Sequence, residues 1–179
     1  MDWLDWVQIR LQKKNQILFS KDDPFLSDFN LLLKKQSHQV VVLWALDLAE
    51  QAVVSLEKKY QQEYRPRNAL ETSRLWAAGK VKMHQAQHEI LRCHAMAKEI
   101  SNLADIATCH AIGQACATVH TTGHAIGFPM YDLTSIVRTY GIENCRTPVE
   151  TTMQTYLDKL YYWQSQPLTR YEWAEFMKR

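Results

Sequence analysis

Between Ile106 and Tyr131 the chain carries no Asp, Glu, Lys or Arg, although charged residues make up 22% of the whole. From Asn102 the stretch reads NLADIATCHAIGQACATVHTTGHAIGFPMY. It holds His110, His120 and His124, Cys109 and Cys116, and Gly113, Gly123 and Gly127. A segment so poor in charge and rich in small residues predicts a central buried helix, about residues 102–128. Other helices can approach it closely, because Ala and Gly take little room. The run is long enough to span a bilayer, for which roughly 20 residues are needed. His, Gln and Thr interrupt it, however, and its flanks lack the basic cluster and aromatic belts of a span. A membrane helix is not expected here.

The remainder is patterned for helices. No Gly precedes Gly79, and strand-like alternation is absent. Trp3, Leu4, Val7 and Leu11 suggest a first amphipathic helix. Asp23-Pro24 reads as an N-cap with Pro at the first helical position. From His38 to about Tyr64, Val41, Trp44, Leu48, Ala52 and Leu56 recur at spacings of three and four, and Arg65-Pro66 ends that helix. Helices are expected over 68–78, closed by Gly79 in the left-handed conformation, and over 80–100. Asn102 caps the central helix, and Gly141 stops the helix that follows Pro129. Thr147-Pro148-Val149-Glu150 reads as a capping box, and Thr169 with Glu172 as the opening of a last helix. The expectation is an all-α protein, a single-domain multi-helix bundle over residues 1–179 around the small-residue helix.

Charge narrows the function classes. The net charge of +2 is spread evenly, so no basic face announces a nucleic-acid partner. The first ten residues, MDWLDWVQIR, carry acids in place of a basic leader and no apolar run, unlike a signal peptide. A cytoplasmic protein is expected. Cys93, Cys109, Cys116 and Cys145 form no CxxC pair and read as reduced core thiols. Adjacent helical residues point about 100° apart, so Cys93-His94 and Cys109-His110 are not nucleophile pairs.

The histidines carry the remaining signal. On a continuous helix, His110, Gly113, Gln114, Ala117, His120, Thr121 and His124 share an arc of about 120°. That is a polar stripe on a helix otherwise buried, and buried polar groups need partners. His120 and His124 have the i, i+4 spacing of two zinc ligands, but lack the Glu of HExxH and an evident third ligand. Such a helix would also hold His110 about 21 Å from His124. His84 and His88 share a face that looks to solvent or a partner, and His94 lies nearer the apolar side. The candidate binding residues are His94, His110, Gln114, His120 and His124, with no metal or other cofactor required.

Three segments carry a resemblance: ALETSRLWAAGKV (Ala69–Val81), HAMAKEI (His94–Ile100) and CHAIGQACATVHTTGHAIGFPMYDL (Cys109–Leu133). Together, over about residues 65–140, they resemble the Imm5-like immunity proteins of bacterial polymorphic toxin systems. The resemblance implies a small helical cytoplasmic protein whose partner is a cognate protein toxin, bound stoichiometrically and without catalysis. It supplies no toxin-contact residues. The competing readings are a metal-binding protein or metal-dependent enzyme centred on His120 and His124, and a helical domain whose polar stripe lines a small-molecule pocket.

Overall fold

Capping residues mark several of the boundaries in the computed structural model, which describes residues 1–179 as eight α-helices and no strand. They are α1 (Trp3–Gln12), α2 (Pro24–Lys34), α3 (His38–Lys59), α4 (Arg65–Ala77), α5 (Met83–Met96), α6 (Leu103–Ala117), α7 (Gly127–Tyr140) and α8 (Arg146–Ser165). Pro24 opens α2, where a missing N–H removes no helical bond. The Asn102 side chain accepts from the Asp105 N–H at 3.0 Å and starts α6. Gly79 follows α4 with φ +76°.

The central helix has the predicted role and a shorter span. α6 touches α3, α4, α5 and α7. Its buried residues, among them Ala104, Ala107, Cys109, Ile112, Gly113, Ala115 and Cys116, lie all round its circumference, as expected of a helix with no solvent face. But α6 stops at Ala117, where the sequence pattern continued to 128. Thr118 turns its hydroxyl back to the Ala115 carbonyl at 2.5 Å. His38 Nε2 donates to the Thr118 carbonyl at 2.7 Å, so a side chain from α3 takes the place of the next helical N–H. A 3-10 turn at Thr122–His124 follows, capped by Thr121, and α7 packs back against α6.

Aromatic packing secures the other side of the core. Phe29, Trp44, Phe128 and Tyr156 join α2, α3, α7 and α8 with ring centroids 5.6–6.2 Å apart. The Trp44 indole donates to the Tyr156 carbonyl at 3.0 Å. At the far end of α3, Lys59 and the Tyr60 hydroxyl both bond buried Asp105, at 2.6 and 2.8 Å, tying the end of α3 to the start of α6. α3 is long and apolar enough to cross a membrane by length and composition, yet 61% of that stretch is buried inside the fold. It serves here as a core helix.

Other boundaries also differ from expectation. α3 ends at Lys59, short of the expected Tyr64, and α4 begins at Arg65 with Pro66 inside its first turn, so the Arg-Pro pair opens a helix and does not close one. α8 starts at Arg146, ahead of Thr147. Glu150 accepts from Arg146 and from the Trp3 indole in place of the expected capping box. No α-helix forms after Thr169. Leu168–Arg170 and Glu175–Lys178 are 3-10 turns, and the Ala174 N–H donates to the Ala77 carbonyl at 2.8 Å. That bond, with the Lys80–Glu172 ion pair, straps the C-terminal segment over the end of α4.

Candidate functional site

The turn after α6 brings together residues that a straight helix would hold apart. α5 supplies His94, α6 supplies His110, Gly113 and Gln114, the 3-10 turn supplies His124, and α7 supplies Gly127 and Tyr131. His94 Nδ1 and His110 Nδ1 lie 2.8 Å apart, so one donates and the other accepts. Tyr131 packs on His110 at 5.2 Å between centroids. His124 Nδ1 lies 3.1 Å from Gln114 Oε1, an acceptor only, so His124 carries its proton on Nδ1.

Two motif glycines are the holes into which this cluster fits. A Cβ on Gly113 would lie 2.3 Å from His94 Nε2, and a Cβ on Gly127 would lie 2.5 Å from Gln114 Oε1. The spacing Gly113-Gln114…His124…Gly127 is therefore the imprint of one packing unit. Gly113 admits His94, Gly127 admits Gln114, and Gln114 anchors His124.

Burial keeps these imidazoles neutral. Desolvation, then the neighbouring His110 and His124, hold His94 down at about 4. Desolvation lowers His110 and His124 as well. The unit is thus a half-buried, hydrogen-bonded group of neutral rings.

Of the five candidate residues, the fold gathers His94, His110, Gln114 and His124 and leaves His120 aside. His120 is exposed and stacks on Trp76 at 6.3 Å. It shares no helix with His124, so the i, i+4 geometry behind a zinc pair is lost with the break at Ala117, and so is the 21 Å separation of His110 from that pair. No three His, Cys, Asp or Glu side chains converge so that they could hold a metal ion. His84 and His88 are exposed and line a polar surface hollow with Asn68 and Gln85. All four thiols are buried, and desolvation pushes Cys109 and Cys116 up to about 12 and raises Cys93 and Cys145. A thiolate nucleophile needs the opposite setting.

An aromatic-walled surface lies elsewhere. A groove of about 640 Å³ runs between α3, α4 and the C-terminal segment. Trp163, Tyr171 and Trp173 form one wall, with centroids about 6 Å apart in sequence. Trp163 is fixed by its indole bond to Asp47 at 2.9 Å, and Trp173 by its bond to the Leu168 carbonyl. Tyr161 and Tyr162 are more than half exposed beside them in the chain. All five aromatics lie between residues 161 and 173. Their convergence depends on the strap at Ala174, which no local pattern encodes.

Against known proteins, a family model described as Imm-5 like putative immunity protein matches residues 31–159. That is wider than the 65–140 carried by the motifs, and takes in all of α3 and most of α8. Neither curated proteins nor solved structures give a match.

Proposed function

Because the chain belongs to the Imm-5 like putative immunity protein family, we propose that it is a cytoplasmic immunity protein that binds one cognate toxin stoichiometrically and carries out no reaction. The family match carries this reading. The geometry supports it in two ways. The histidine unit is neutral, half-buried and hydrogen-bonded within itself, which suits scaffold better than catalysis. The groove walled by Trp163, Tyr171 and Trp173 offers the kind of residue that dominates binding hot spots, and we take it as the toxin-facing surface.

The test is co-expression with the toxin encoded beside it. Protection of the host and a 1:1 complex on gel filtration are expected. A toxin that kills equally well with the chain present, and forms no complex, refutes the reading for that toxin.

A further inference from the structure

Opposite the aromatic groove's chemistry stands a smaller cavity of about 330 Å³ where α3, α6, α7 and α8 meet. Its one charged side chain is Asp132 on α7. Its lining has no Lys, Arg or His and no second carboxylate, and Tyr156 is its only other titratable group. Hydroxyls and an amide surround it: Ser55 and Gln51 from α3, Thr108 from α6, Ser135 from α7 and Thr155 from α8.

Asp132 is under-partnered. Oδ2 accepts from the Tyr156 hydroxyl at 2.5 Å, and Oδ1 accepts no hydrogen bond. Asp132 is half-buried and lines the cavity, and Oδ1 is not among the fully buried atoms without a partner, so it keeps some accessible surface. Buried carboxylates are ordinarily paired with a cation or several donors. Here the fold supplies one donor, and the second oxygen stands beside a hydroxyl-lined space.

We infer that this cavity is a site for an alkylammonium or alkylguanidinium group, whose charge pairs with Asp132 Oδ1 while the surrounding hydroxyls accept its remaining N–H bonds. Leu48, Phe128 and Ile136 supply apolar wall for the alkyl stem. Two sources share that chemistry, a free small amine and a Lys or Arg side chain reaching in from a protein. The inference does not depend on the immunity reading. Desolvation lifts the Asp132 carboxyl to about 6, so it is mostly ionised at pH 7.5, and a cation there would relieve that desolvation.

The test titrates the purified full-length protein with n-butylammonium, butylguanidinium and N-acetyl-lysine methylamide, followed by amide NMR shifts at pH 7.5. Saturable shifts confined to residues around Asp132 are expected, with 1-butanol giving none. Binding of the lysine diamide as well as the free amines assigns the site to a protein side chain. Binding of the free amines alone assigns it to small amines. Affinity should fall about tenfold at pH 5, where a carboxyl titrating near 6 is largely protonated, and at least as far in Asp132→Asn. A second readout needs no variant: the Asp132 carboxyl, followed by its ¹³C shift, should titrate at lower pH when butylammonium is bound. No saturable shifts with any of the three probes, equal binding by Asp132→Asn, or an unmoved carboxyl titration would overturn the assignment.

Discussion

The imidazole of His94 fills the space that a side chain on Gly113 would need, so that a Cβ there would meet His94 Nε2 at 2.3 Å. Two effects oppose each other at this position. Ala in place of a helical Gly gains about 1 kcal/mol of propensity. Forcing an atom into a filled core costs about 1–3 kcal/mol, and the obstructing group is a rigid ring held by His110. Gly113→Ala should therefore lose up to about 2 kcal/mol by urea denaturation. In a His94→Ala background the ring is gone, and the same change should become neutral or stabilising. Equal effects in both backgrounds would dismiss the hole-and-ring account.

Acid should destabilise the fold through the same unit. His94 titrates at about 4 when folded and near 6.5 when unfolded. Between those values the unfolded chain binds a proton that the folded chain refuses, so stability is present above pH 6.5 and is lost as pH falls toward 4. His110 and His124 are lowered in the same direction. Asp132, raised from 3.8 to about 6, acts with the opposite sign over pH 3.8–6. The histidines outnumber it, so the net trend is a loss. His94 alone accounts for on the order of 2 kcal/mol after allowance for its partial exposure. Urea midpoints at pH 7.5, 6 and 4.5 should fall in that order, with a shallower fall in His94→Gln. A midpoint that rises on acidification would contradict it.

Thiol reactivity gives a sharper check on chemistry. All four cysteines are buried, with their thiols raised by desolvation, and thiolate is the reactive form. Native protein at pH 8 should show no fast-reacting thiol toward Ellman's reagent, and four after denaturation. One rapid native thiol would reopen a cysteine nucleophile.

Much of the helix plan was legible because local chemistry fixes it. Pro24, Asn102 and Gly79 punctuate the chain for reasons that involve only their neighbours, whereas the Asp23 side chain caps nothing and pairs with Arg10. The end of α6 was not legible in the same way. It is imposed by His38, some 80 positions away, on the Thr118 carbonyl. Thr121-Thr122-Gly123 held a turn signal, but the charge-free pattern running through it masked that signal. Once the helix breaks, His124 meets Gln114 and leaves His120 behind. The fold thus gathers four of the five candidate residues by a route the stripe did not foresee, and the zinc spacing was an artefact of assuming a straight helix. The C-terminal segment misled for a related reason: Ala174 gives its N–H to Ala77 and not to a turn of its own helix.

The strap also decides what a binding test should look like. Tyr171 lies between Trp163 and Trp173 and is partly exposed. It makes few core contacts, so Tyr171→Ala should leave stability within about 0.5 kcal/mol. If the groove is the toxin-facing surface, truncating a central aromatic anchor should weaken the complex by about 2 kcal/mol or more, roughly thirtyfold. Arg170, which lines the same groove and has no ion-pair partner, should contribute as well, with Arg170→Ala slowing association more than Tyr171→Ala does. Tyr140 is 52% exposed at the end of α7 and does not line the groove, so Tyr140→Ala serves as the control. Calorimetry against the cognate toxin would separate the cases. A large loss at Tyr171 with none at Tyr140 places the toxin in the groove, whereas the reverse moves the interface to the α7 end and leaves the immunity reading itself standing.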